Sequence, residues 1–193
     1  MDNPFATRWV RPGAISYHFP VGQSADTLVD RLRAHAWWGE IVGPHGAGKS
    51  TLLATLLPAL EAAGRKPILE ALHDGQRRLP HRLTDSSAWT TATQIVIDGY
   101  EQLSYWSRLR LKRACRRVGC GLLVTSHRSV GLPELIRVEP NLETLQGVVA
   151  ELLAASPQSI TRDEVARSFA AHHGNARDTL FDLYDLYEQR RQV

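Results

Sequence analysis

The stretch "GPHGAGKST" occupies Gly43–Thr51, and how it is read decides the fold. It fits G-x-x-x-x-G-K-[ST], with Gly43, Gly48, Lys49 and Ser50 at the fixed positions. Such a pattern carries meaning only between a buried strand and a helix. Upstream, "WWGEIV" (Trp37–Val42) is a short apolar run suited to a strand. Downstream, "STLLATLLPALEAAG" (Ser50–Gly64) places Leu52, Leu53, Leu56, Leu57 and Leu60 at helical spacing, with Gly64 as the stop. Pro58 inside that helix is a kink point.

The residue types then point to phosphate. Glycines let the loop turn and bring backbone N–H groups up to phosphate oxygens. The following helix adds partial positive charge at its N-terminus. Lys49 is a compact cation able to reach β- and γ-phosphates, and the Ser50 hydroxyl can ligate Mg²⁺. The expected nucleotide-binding set is Gly43, Pro44, His45, Gly46, Ala47, Gly48, Lys49, Ser50 and Thr51.

Composition sharpens the choice of lysine. The chain has 193 residues, a formal charge of +3 and a pI near 9.1. Only Lys49, Lys66 and Lys112 are lysines, so arginine supplies the other twenty of 23 basic residues. The mild charge excess does not by itself imply nucleic acid. No run approaches the ~18–20 apolar residues of a membrane span. The opening "MDNPFATRWVRPG" lacks a signal-peptide core. The expectation is a cytoplasmic protein with no membrane partner. Cys115 and Cys120 lack a second Cys/His pair for zinc and read as reduced thiols.

A second acidic element follows. "TQIVIDGYEQL" (Thr93–Leu103) contains a buried strand ending in Asp98. Asp98 is the candidate second Mg²⁺ partner, opposite Ser50, although a strand-ending Asp can also cap a helix. Gly99 stands next, and the nearest acid is Glu101. Glu101 is the candidate water-orienting base, or else an exposed acid in a first helical turn. The expected catalytic set is therefore Lys49, Asp98 and Glu101.

Five strand candidates appear: 38–42, 67–72, 94–98, 121–126 and 134–139. Helices fall between most of them, which implies an α/β fold with a parallel sheet covered on both faces. Ligands in such sheets sit at the carboxyl ends of strands, which places Thr125, Ser126 and His127 of "GLLVTSHR" near the γ-phosphate.

With both acidic and phosphate motifs in place, the chain resembles the AAA+ and related P-loop ATPases. The two motifs correspond to Walker A and Walker B, separated by a strand. "VTSHR" falls at the sensor 1 position, and "GNAR" (Gly174–Arg177) resembles sensor 2. "DGYEQL" is similar to the Asp-Gly-x-acid pattern of signalling (STAND-type) members. The resemblance spans roughly 38–190. It implies a three-layer P-loop sandwich with five mainly parallel strands in the order 5-1-4-3-2 and a small C-terminal helical lid. It implies ATP and Mg²⁺ as ligands, ATP hydrolysis to ADP, and nucleotide contacts from Ser126 and Arg177. Residues 1–140 form the expected α/β domain, with 1–36 near the adenine site, and 141–193 the lid.

Three features stay open. "TRDEVARSF" has a capping-box pattern from Thr161 to Glu164, and Asn175 can cap the last helix, which puts Arg177 in its first turn. There Arg177 faces either a phosphate or solvent. "SRLRLKRACRR" (Ser107–Arg117) shows a basic arc of Arg108, Arg110, Lys112, Arg113, Arg116 and Arg117 opposite Leu111, Ala114, Cys115 and Val118. That arc is either a solvated face or a surface for nucleic acid or an acidic protein, joined by Arg77, Arg78 and Arg82 if the 73–87 loop lies beside it. Arg128 is a loop residue or an arginine finger in a homo-oligomer. Competing activities are a small-molecule or nucleoside kinase and a binding-only nucleotide switch. A transporter ATPase is disfavoured because no "LSGGQ"-like signature lies between the motifs.

Overall fold

The computed structural model describes residues 3–154, 156 and 160–191. In chain order the helices are α1 (Thr7–Val10), α2 (Ala25–Ala34), α3 (Lys49–Ala62), α4 (Tyr105–Val118), α5 (Leu142–Leu153), α6 (Arg162–Ala171) and α7 (Ala176–Arg191). The strands are β1 (Trp38–Val42), β2 (Lys66–Ala71), β3 (Thr93–Asp98), β4 (Gly121–Ser126) and β5 (Glu134–Arg137). The chain divides into two units. One comprises Phe19–Gly43 and Leu53–Arg137; the other comprises Met1–His18, Pro44–Leu52 and Val138–Val193.

The first unit holds the sheet. All neighbouring strands pair in parallel, in the order β2-β3-β4-β1-β5. This is the expected 5-1-4-3-2 read from the opposite edge. The period of two along each strand separates the faces. Ile95 and Ile97 of β3, Leu122 and Val124 of β4, and Trp38 of β1 point into one core with Leu111 and Cys115 of α4. On the other face, Gly39 of β1 lets Leu32 of α2 approach closely; a Cβ there would sit 2.9 Å from Leu32 Cδ1. Helices thus cover both faces. α2 ends at Ala34, and Ala36 and Trp37 then turn left-handed at φ 53° and 67°.

Several charged side chains reach backbone groups, although Glu40 Oε1 and Arg65 Nε are buried without a partner. Glu40 of β1 is fully buried, and its Oε2 accepts from Val130 N and Leu132 N at 2.9 and 3.2 Å. The Arg65 guanidinium donates to Thr91 O and Thr93 O, both at 2.7 Å, and lies over the Trp37 ring. Arg31 donates to Leu135 O at 2.7 Å. The arginine-rich composition is in part a set of carbonyl clamps, a use that suits the forked guanidinium.

The second unit is helical. α5, α6 and α7 enclose Leu145, Val149, Val165, Leu180 and Leu183. Phe5 is fully buried in the same cluster, edge-on to Tyr187 with centroids 6.1 Å apart. Asn3 Nδ2 donates to Tyr184 O and to Glu188 Oε1. Residues 3–10 therefore pack with the C-terminal helices, whereas the sequence reading grouped 1–140. The anchor is one aromatic without periodic neighbours, which hydrophobic patterning does not detect. The capping box of α6 is present: Glu164 N donates to Thr161 Oγ1 and Thr161 N to Glu164 Oε2.

Candidate functional site

Within the helical unit, the phosphate-loop pattern adopts the backbone its glycines permit. Gly46 and Gly48 take φ +70° and +93°, in the left-handed region that side chains avoid. A Cβ at Gly46 would fall 1.7 Å from Asn175 Oδ1, so the loop lies directly against the start of α7. Asn175 caps that helix: its Oδ1 accepts from Arg177 N at 3.1 Å and Asp178 N at 3.3 Å. Lys49 is 8% exposed, and its Nζ donates to Pro44 O at 2.6 Å, so the ammonium is turned onto its own loop. Ser50 and Thr51 are half-buried in the first turn of α3, and Ala47 is likewise half-buried in the loop, while Pro44 and His45 are exposed. Arg177 is exposed, with no hydrogen-bonding partner for its side chain among the described residues.

Within the sheet unit, the strand ends make a second constellation. β1 ends in register with Ser126, and Gly43 N donates to Ser126 O at 3.1 Å. The Ser126 hydroxyl is buried without a partner. Asp98 Oδ1 accepts from Thr125 Oγ1 at 2.5 Å, and that hydroxyl accepts from Gly99 N at 2.9 Å. Thr125, fully buried, thus fixes both the strand-end carboxylate and the backbone after it.

Gly99 explains why no acid follows Asp98. Its φ is +79°, and a Cβ there would meet Leu72 O at 3.1 Å. A side chain at this position is strained by conformation and contact together. The chain continues as a short 3-10 turn, Tyr100–Gln102, that presents Glu101 instead. Glu101 Oε1 lies 3.1 Å from His127 Nε2, while Oε2 is buried with no partner. Its backbone oxygen accepts from Arg108 Nη2 at 2.6 Å. A cavity of about 250 Å³ lined by Gly75, Arg77, Glu101, Gln102, Leu103 and Ser104 opens beside it. Tyr100 is buried below the turn with Arg108 over its ring, and burial pushes its phenol well above the ordinary range.

Three partnerships escape the sequence: Thr125 with Asp98, His127 with Glu101, and Asn175 with Gly46. Each joins residues 26 or more positions apart, and no local spacing signals them. Among the described residues no three His, Cys, Asp or Glu side chains cluster as a protein-only metal cage. Mg²⁺ held by one hydroxyl, one carboxylate, phosphate oxygens and water needs none. The glycine cradle at Gly46 and Gly48 fits an anionic phosphate ligand of that kind.

The basic helix is less free than its sequence suggests. Arg108 donates to Leu103 O and Glu101 O, and Lys112 to Val130 O. Burial lowers the Lys112 ammonium below its usual range, helped by Arg116 nearby. No helix among the described residues is long and apolar enough to cross a membrane.

No family model and no curated protein matches the sequence. Solved structures do match. Cdc6p from Pyrobaculum aerophilum aligns over 100% of this chain and 66% of its own, at 14% identity and TM-score 0.65. AMPPCP-bound DnaA from Aquifex aeolicus aligns over 78% of this chain and 57% of its own, at 13% identity and TM-score 0.51. A Walker-type ATPase of Pyrococcus abyssi aligns over 98% and 80%, at 11% identity and TM-score 0.51. The chain thus spans less than two thirds of the length of the first two. Parallel order, strand-end acids and helical C-terminus together give the chain the fold of the AAA+-like P-loop ATPases.

Proposed function

We infer that this chain binds Mg-ATP at Gly43–Thr51 and hydrolyses it to ADP and phosphate. The observation that carries the reading is the left-handed Gly46–Gly48 loop opening directly onto α3, with Lys49 at the helix start. Backbone N–H groups of the loop and the α3 N-terminus would face the phosphates. Lys49 would exchange the Pro44 carbonyl for β- and γ-phosphate oxygens, a charge-assisted bond in place of a neutral acceptor. By the sequence pattern, Ser50 and Asp98 would hold Mg²⁺, with Thr125 keeping the Asp98 carboxylate oriented. The ion, when bound, neutralises charge developing on the phosphoryl oxygens.

Glu101 is the proposed base, which would take the proton as water attacks the γ-phosphorus and the bond to ADP breaks. His127 positions its carboxylate. Ser126 and Arg177 are the further nucleotide contacts, and the 1–36 segment is the proposed neighbour of the base. AMPPCP in the DnaA structure supports an adenine nucleotide as ligand. In this reading nucleotide state is coupled to a nucleic-acid or acidic protein partner met at α4. Arg128, exposed and unpartnered among the described residues, is available to a neighbouring subunit in a homo-oligomer. A kinship with signalling ATPases rests on the "DGYEQL" turn alone.

Equilibrium binding of MgATP to Lys49→Ala tests this reading. Loss of a charge-assisted phosphate contact lowers affinity about tenfold to a hundredfold. Unchanged affinity in a folded variant contradicts it.

A further inference from the structure

The outer face of α4, where the proposed function places a partner, carries residues that distinguish between kinds of partner. With Arg108 and Lys112 engaged on carbonyls, the outward stripe is Trp106, Arg110, Arg113 and Arg117. These positions lie at i, i+4, i+7 and i+11, within an arc of about 60° and over roughly 16 Å of helix. Arg110 and Arg113 are exposed and have no partner among the described residues. Arg117 donates to the neutral Ser86 hydroxyl at 2.9 Å and keeps its full charge. At the stripe's N-terminal end, Tyr105 and Trp106 are 71% and 74% exposed and stack edge to face, 5.5 Å apart.

The 73–87 loop lies beside this helix. Ser104 N and Ser107 Oγ donate to Arg77 O at 3.0 and 2.9 Å, and Arg117 meets Ser86 at the far end. Exposed Arg77 and Arg78 therefore flank the aromatic pair. Arg82, paired with Glu70, is withdrawn from the surface charge. The acids of the loop are Asp74, which accepts from Gln102, and Asp85, which accepts from Ser87 N. Five arginines against two aspartates leave the face positive.

We propose that this face binds single-stranded nucleic acid, with Trp106 and Tyr105 stacking bases and Arg77, Arg78, Arg110, Arg113 and Arg117 contacting phosphates. Protein interfaces are organised round an apolar core. Among the described residues of α4 and the 73–87 loop, the large exposed apolar groups are two aromatic rings at one end of a charged stripe, an arrangement that suits base stacking beside a backbone track. In a duplex the base faces are already stacked, so the rings would meet nothing; a single strand offers them. The proposal rests on the reading of α4 as the partner surface, and its test is separate from that of nucleotide hydrolysis.

Fluorescence anisotropy of a labelled 20-nucleotide single strand with the whole chain tests it, against a duplex of equal length and poly-glutamate as competitors. The expected result is single-strand binding that weakens steeply with salt. Trp106→Ala should weaken it about tenfold, as loss of one stacked base does. Arg110→Glu with Arg113→Glu should weaken it further. Both changes lie on the exposed face, and an unchanged thermal melt confirms folding. The proposal is overturned by no binding at low salt, by duplex or poly-glutamate binding as tightly, or by Trp106→Ala without effect. Lys49→Ala, which tests the nucleotide reading, should leave this affinity unchanged.

Discussion

At the end of β3, Asp98 is seated on the Thr125 hydroxyl at 2.5 Å, and the same hydroxyl takes up the next backbone N–H. Three residues on, in the turn, Glu101 has one oxygen on His127 and the other buried with no donor. The first carboxylate is built into the framework. The second bears the cost of an unsatisfied buried atom, about 1–3 kcal/mol. Buried polar atoms left in that condition, here also Glu40 Oε1 and the Ser126 hydroxyl, each ask for a reason such as strain or catalysis. In the proposed function the difference separates a residue that must be still from one that must exchange partners.

Breaking the first region should therefore cost most. Thr125→Val keeps the shape but removes the hydroxyl from Asp98 and Gly99. Urea unfolding should show a loss of about 2–3 kcal/mol, as for hydrogen bonds to a charged group. A loss indistinguishable from zero would mean that Asp98 is not held in this way. The turn between the two carboxylates comes next. Gly99→Ala should destabilise by about 1–2 kcal/mol through the left-handed backbone alone. An acid restored after Asp98 by Gly99→Glu should be no better tolerated.

Glu101→Gln sharpens the comparison from the other side. It removes a charge from an incompletely partnered carboxyl and should change stability by less than about 0.5 kcal/mol. A large loss would place Glu101 in the framework with Asp98. The smallest effect lies away from the strand ends. Arg190 and the Thr161 backbone hold the Glu164 carboxyl down to about 2. A depressed carboxyl contributes stability that is complete above its unfolded value of 4.5 and is lost as pH falls toward 2. Glu164→Gln should flatten acid unfolding in that window.

Much of the sheet was legible because its strands are apolar runs ending in polar residues at one edge: "IVID" and "LLVTS" each mark a buried strand and its carboxyl end. The glycines at 46, 48 and 99 were visible as residues, but only the structure gives the reason for Gly99, a left-handed turn beneath Leu72 O. The docking of Phe5 among the C-terminal helices was not legible, because a single aromatic has no period. Nor was the division of the α4 arginines. Arg108 and Arg110 look alike in sequence, and the nearby Leu103 and Glu101 carbonyls engage one and leave the other to solvent. Spacing along a chain reports faces of helices and strands; it does not report which carbonyl waits there.

The proposed function is MgATP binding at Gly43–Thr51 and its hydrolysis with Glu101 as base. Phosphate release from MgATP by the wild-type chain, Lys49→Ala and Glu101→Gln tests it most directly. The account predicts steady release by the wild type and none by Lys49→Ala. Glu101→Gln should bind MgATP as the wild type does but release phosphate about 10²–10⁴-fold more slowly, the usual contribution of a positioned base. Release that is equal in all three proteins, or absent from the wild type despite tight binding, would contradict it.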